Sequence, residues 1–170
     1  DANTTANSNT AVGKYTLSAN TTGQYNTALG AESLAANTTA SSNTAVGYQA
    51  LNANTTAANN TAVGTGSLDA STTGASNTSI GAYALTTSTT GASNVAVGVS
   101  ALEANTTASN NTAVGTNALV SNTTGTQNIS VGTSAGQNVT TGNYNICIGY
   151  DSRTSAVGSS AQIVIGDSVI

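Results

Sequence analysis

The chain of 170 residues has no proline, tryptophan, phenylalanine, methionine or histidine, and a single cysteine. Without histidine it lacks the usual general base and the commonest nitrogen ligand for a metal. The lone Cys147 excludes an intrachain disulfide. Only 5% of residues are charged, and the cations are Lys14 and Arg153 alone. Two cations cannot neutralise the row of phosphates that a nucleic acid presents, which excludes that partner. No apolar run reaches 18 residues, and there is no secretory signal or basic cluster, so membrane insertion is not expected. Asp1, Glu32, Asp69, Glu103, Asp151 and Asp167 share no repeat position, so neither a carboxylate pair nor a calcium ladder recurs. The segment GTGSLDAS (64–71) lacks the lysine of a phosphate loop. The expectation is a protein that is not an enzyme and has no cofactor and no metal.

What the chain does have is a period. Gly13, Gly30, Gly47, Gly64, Gly81, Gly98, Gly115, Gly132, Gly149 and Gly166 stand 17 residues apart, so ten repeats span 1–170 without insertion or deletion. A spacing this strict marks a stacked array, because one extra residue would displace every later contact. Composition rich in Asn, Thr, Ser, Ala and Gly could also describe a disordered segment. Against disorder stand the small net charge of -4 and apolar residues held at fixed repeat positions.

The repeat reads N-T-A-V-G-x-x-A-L-x-A-N-T-T-[GA]-x-x, and its columns carry separate messages. After Asn comes a wholly β-branched column, from Thr10 and Thr27 through Val95 to Ile146 and Ile163. Two residues on stands an aliphatic column: Val12, Leu29, Val46, Val63, Ile80, Val97, Val114, Val131, Ile148 and Ile165. Between them the residue is small in nine of ten repeats, as at Ala11, Ala28, Ala45, Ala62, Ala96 and Ala113. Alternation with period two predicts a short β-strand, with the β-branched face packed inward as core. The small column then faces outward, and its uniformity predicts that another copy of the chain packs against it. Leu17, Leu34, Leu51, Leu68, Leu85, Leu102 and Leu119 predict a second inward-pointing segment. The Gly column predicts a corner with positive φ or a close backbone approach.

Asn9, Asn26, Asn43, Asn60, Asn77, Asn94, Asn111, Asn128 and Asn145 form an unbroken column, with Gln162 as its tenth member. Stacked amides can bond to one another and to turn backbone, which predicts a ladder. A second set, Asn20, Asn37, Asn54, Asn105 and Asn122, lies in Asn-Thr-Thr, as does Asn3. These are candidate N-glycosylation sites; the competing reading is turn chemistry, with Asn and Thr bonding to nearby backbone. Asn59, Asn77, Asn110, Asn128 and Asn138 satisfy the same acceptor pattern.

Seventeen residues are too few for a propeller blade or a helical hairpin, and the Gly, Asn, Ser and Thr content opposes helices. The predicted fold is all-β, a parallel β-solenoid (β-roll) with one repeat per coil and ten coils. At ~4.8 Å per coil the array is on the order of 48 Å long. Each coil buries little apolar surface against the ~1–2 kcal/mol needed to order each backbone residue, which predicts an oligomer, a trimer above all.

The phrase N-[TIV]-[AS]-[VLI]-G, read as NTAVG at 43–47, NISVG at 128–132 and QIVIG at 162–166, resembles the head repeats of YadA-like trimeric autotransporter adhesins. The longer unit NTAVGxxALxANTTG resembles repeats of bacteriophage tail fibres and related extracellular fibres. The resemblance implies a left-handed parallel β-roll assembled as a trimer; it also implies a surface or virion location.

The expected function is therefore a structural or adhesive fibre: extracellular, cell-surface or virion. It would associate with itself, either laterally or head to tail into a filament, and reach a host-surface or glycan receptor. The scattered Tyr15, Tyr25, Tyr48, Tyr83, Tyr144 and Tyr150 are expected on the surface. An alternative is an ice-binding solenoid using Thr columns, although Thr21 and Thr22, being adjacent, would point to opposite faces. A sugar-cleaving β-helix would need a local acidic cluster, which the scattered carboxylates do not supply. Residues 137–170 diverge: Leu gives way to Gly136 and Arg153, and the strands become Ile146-Cys147-Ile148 and Ile163-Val164-Ile165. This more apolar end is expected to be a joint. With the frame running unbroken from Ile170 back to Asp1, the chain is expected either to be a piece of a longer shaft or to stack end to end.

Overall fold

A phrase can recur without insertion when every copy occupies an equivalent place in space. The computed structural model of the protein, which describes residues 5–166, has this arrangement. Its strands are β1 (Thr10–Val12), β2 (Thr27–Leu29), β3 (Thr44–Val46), β4 (Thr61–Val63), β5 (Thr78–Ile80), β6 (Val95–Val97), β7 (Thr112–Val114), β8 (Ile129–Val131), β9 (Ile146–Ile148) and β10 (Ile163–Ile165). They form one parallel sheet in chain order. Thr44 pairs with Thr61, Ala45 with Ala62 and Val46 with Val63, and the same offset of one repeat holds from β1 to β10 without a slip. The protein is thus an all-β parallel solenoid with one 17-residue repeat per coil. Among the described residues no helix is long and apolar enough to cross a membrane.

Outside the strands, backbone amides also bond between coils. In the second coil, Leu34 N–H donates to the Ala50 carbonyl at 3.1 Å and Thr38 N–H to the Thr55 carbonyl at 3.1 Å. The strand edges do the same, with Thr27 N–H on the Asn43 carbonyl and Gly47 N–H on the Leu29 carbonyl, both at 2.8 Å. The sheet is three residues wide, but the inter-coil bonding runs round the whole coil, which satisfies polar backbone that folding withdraws from water.

The coil closes through left-handed residues. In this same coil Glu32, Leu34 and Ser42 have φ of 59°, 49° and 62°. A left-handed Leu costs roughly 1–2 kcal/mol. Burial of a leucine side chain contributes ~1.5–3 kcal/mol and offsets it. The glycine column is enforced by stacking: Gly81 has φ +142°, and a Cβ there would lie 2.3 Å from the Gly98 carbonyl oxygen of the next coil.

The structure reverses the expected facing of the strand. Ala28, Ala45, Ala62, Ala96 and Ala113 are fully buried inside the coil, where they form one core with the Leu column, so they are not an inter-chain surface. Ala11, in the first described strand, is exposed. The column expected as core, Val12, Leu29, Val46, Val63, Ile80, Val97, Val114, Val131, Ile148 and Ile165, lies on the outer face, exposed or half-buried. The reason is width. Inside a coil this small, the Leu side chain and a second small column, Ala50, Ala84, Ala101, Ala118 and Ala135, already fill the space facing the strand. From β2 to β9 only Ala, Ser or Cys stands between, because two branched side chains do not fit an enclosed coil; Val164 stands in that column in β10, the last described strand.

Where the Leu column ends, the core compensates. A Cβ at Gly136 would lie 2.3 Å from Ser130 Oγ, and Cys147 enters the small column where Leu gives way to exposed Arg153. Within the described part of 137–170, up to residue 166, the expected divergence is structurally mild. β9 and β10 keep register, and the coil departs from its neighbours chiefly at 155–161, where Val157 is 70% exposed.

The reversed facing predicts opposite responses at adjacent residues. Ala96→Val, which overfills the core, should destabilise the protein by ~1–3 kcal/mol. Val95→Thr, which puts the commonest residue of its column on the outer face, should stay within about 0.5 kcal/mol of wild type. Urea denaturation followed by circular dichroism measures both; a larger loss for Val95→Thr would restore the opposite facing.

Candidate functional site

The feature least accounted for by folding is the outer sheet face. It carries two side-chain columns, the β-branched one that begins each strand and the aliphatic one that ends it. From β1 to β5, and again in β7, threonine accompanies an aliphatic residue, while β6 between them carries Val95 and Val97. From β8 to β10 both columns are aliphatic, namely Ile129 with Val131, Ile146 with Ile148, and Ile163 with Ile165. Ile129 is 41% exposed, Val131 39% and Ile148 39%. Neither column holds a charged residue. The inward expectation for the branched residues concealed this face at the level of sequence, although its columns were in plain view.

The main asparagine column is interior. Asn94 N–H donates to Asn77 Oδ1 at 2.9 Å, its amide donates to the Ala108 carbonyl at 2.9 Å, and its own Oδ1 accepts Asn111 N–H at 3.0 Å. The same pattern runs from Asn9, whose Oδ1 accepts Asn26 N–H, to Asn145, whose Oδ1 accepts Gln162 N–H. Each member therefore ties two coils and a corner together.

The second asparagine column is interior too, which corrects the glycosylation expectation. Asn20, Asn37, Asn54, Asn105 and Asn122 are buried. Asn37 Nδ2 donates to Asn20 Oδ1 at 2.8 Å and to the Ala40 carbonyl at 3.1 Å; Asn54 and Asn122 repeat the arrangement. A glycan on that nitrogen would replace one of the two N–H groups that these bonds use and could not fit the interior, so turn chemistry is what these residues perform. Asn77 and Asn128 are buried in the main ladder, while Asn59 and Asn110 are exposed. Asn3 lies outside the described residues. The second ladder is broken at Ser71 and Val139, which follow Asn54 and Asn122, and the Oδ1 atoms of those two asparagines are left without a donor.

The adjacent threonines divide as their alternation requires. Thr38, Thr55 and Thr72 donate their hydroxyls to carbonyls of the next coil at 3.1–3.2 Å, whereas Thr39, Thr56 and Thr73 face solvent. All six tyrosines are exposed. Cys147 is buried in the core, where burial pushes its thiol up and the Ser130 hydroxyl partly opposes that. Among the described residues no group of three or more His, Cys, Asp or Glu converges to hold a metal. Among the described residues, two acidic side chains influence each other. Glu32 accepts from Gln49 Nε2 at 2.9 Å, and burial, with the negative charge of Glu32, raises the Asp69 carboxyl above its ordinary range.

No protein-family profile, curated protein or solved structure matches the chain. The solenoid architecture is accordingly what the structure itself supplies, and no relative lends this face a role.

Two outcomes follow from the site's geometry. Ser71→Asn with Ser88→Asn joins the two halves of the second ladder from Asn20 to Asn122 and gives Asn54 Oδ1 a donor. It should raise stability by ~0.5–1.5 kcal/mol per new bond, seen as a higher melting temperature. Asp69 has a raised folded-state pKa, so ionising it opposes folding, and stability recovers as pH falls through that value. Asp69→Asn should therefore melt higher than wild type at neutral pH. The difference should vanish below the ordinary carboxylate range in a series of melts against pH.

Proposed function

We propose that the protein is a structural element of an extracellular, cell-surface or virion fibre, a stiff solenoid that associates laterally with copies of itself. The single observation that carries this reading is the aliphatic end of the outer sheet face, Ile129 to Ile165, on a scaffold whose coils stay in register throughout. Large branched side chains on an uncharged sheet surface lose free energy when covered, by about 25 cal/mol per Å² of apolar area. A second sheet can stack on such a face at ~10 Å. A like face on another copy has the same flat, uncharged chemistry. Three copies is the stoichiometry we favour, on the resemblance of the strand phrase to trimeric adhesin heads. The contact lies on the aliphatic columns rather than on the buried alanine column.

A rod of this kind acts by persistence of shape. Bonding between coils at the strand, the turn and both asparagine columns resists bending and local opening, so its ends stay at a fixed separation. An adhesive or receptor-contacting role would then fall to residues outside the repeat columns, with the exposed tyrosines as the available aromatic contacts.

Sedimentation velocity of the full chain tests the reading. Wild type should sediment as an oligomer of defined size, and Ile129→Lys with Ile148→Lys should shift it to the monomer while leaving the far-ultraviolet dichroism unchanged. A wild-type monomer at the highest soluble concentration, or a double variant that stays assembled, would overturn it.

A further inference from the structure

The threonine-bearing part of the same face has a different chemistry from its aliphatic end, and we propose that it binds an ice surface. In β3, β4 and β5, Thr44, Thr61 and Thr78 stand beside Val46, Val63 and Ile80 on the outward side. Among the described residues these three hydroxyls donate to no protein acceptor, unlike the inward threonines that bond the next coil. In each of these three coils the face thus presents a hydroxyl and branched methyl groups, with no charge in either column.

Register makes that chemistry a lattice. Parallel strands repeat at ~4.8 Å, and outward residues within a strand stand about 6.6 Å apart, twice the rise per residue. The pairings carry this grid from coil to coil without a slip. The shorter repeat is near the oxygen repeat in the basal plane of hexagonal ice. The methyl groups hold water in ordered cages, and the hydroxyls anchor those waters by hydrogen bonds.

A second protein copy is the poorer occupant of these coils. Covering the rank with an apolar face would bury unpaired hydroxyls, which costs free energy, whereas a water lattice supplies every one with a partner. The all-aliphatic coils β8 to β10 have no such hydroxyls, which is why self-association is placed there. The exposed rank Thr39, Thr56 and Thr73 at the corner is one column wide and has no second dimension to match a lattice.

Thermal hysteresis and inhibition of ice recrystallisation, measured on the full chain, test the proposal. Wild type should show both, Thr61→Lys should lose most of the hysteresis, and Thr56→Lys in the same coil should keep it. Dichroism establishes that each variant is folded; Thr44→Lys and Thr112→Lys decide the result should Thr61→Lys misfold. The double variant at Ile129 and Ile148 should keep its hysteresis, which separates this proposal from the assembly reading. A folded wild type without hysteresis overturns the proposal, as does a folded Thr61→Lys with full activity or an equal loss in Thr56→Lys.

Discussion

Hydrogen bonding between successive coils at a constant offset of 17 residues is the constraint on which the rest of this structure depends. It acts at the strand, through pairs such as Thr44 with Thr61, and at the turn, through Thr38 N–H on the Thr55 carbonyl. At the corners the asparagine column repeats it, each Oδ1 accepting the backbone N–H of the next member. Because the three sets share one offset, a slip in any of them would break the other two. The chain can therefore be poor in large hydrophobic residues and still hold a single register, since backbone polar groups withdrawn from water are satisfied by neighbours in the array.

That constraint also explains what the interior excludes. A coil of 17 residues that must lie flat on its neighbour encloses room for one Leu, two small residues and two amides. Left-handed backbone at the Leu position turns the chain tightly enough to close the coil, and burial offsets the strain. Branched residues are consequently displaced outward, where they make an uncharged sheet surface instead of a core. An exposed apolar face on an otherwise polar protein marks an interaction surface more often than an accident of composition.

The outer face has two chemistries along its length, and they suit different partners. Aliphatic residues in both columns favour contact with another sheet, since nothing polar is lost when they are covered. Threonine beside valine favours a partner that can both accept methyl groups and bond hydroxyls. One scaffold can offer both because each coil chooses its outward residues independently, while the inward ones are bound to the geometry of the stack.

The period, the all-β class, the parallel stacking and the glycine corner were legible in the sequence, because each follows from spacing along the chain and from the backbone freedom of glycine. Nine aligned asparagines likewise pointed to stacked amides before any coordinates. Alternation of Thr, Ala and Val established that the strand has two faces, but alternation is symmetric and cannot say which face is inside. That choice rests on the width of the closed coil, set by left-handed turns at residues such as Glu32, Leu34 and Ser42, which nothing in their identities foretells. The same closure decided the fate of Asn37 and its column: the acceptor pattern is a matter of three adjacent residues, whereas burial depends on where the corner folds. Sequence by itself determined the repeat and its stacking because these are one-dimensional regularities; only the tertiary structure decided inside from outside, because that depends on the volume a coil encloses.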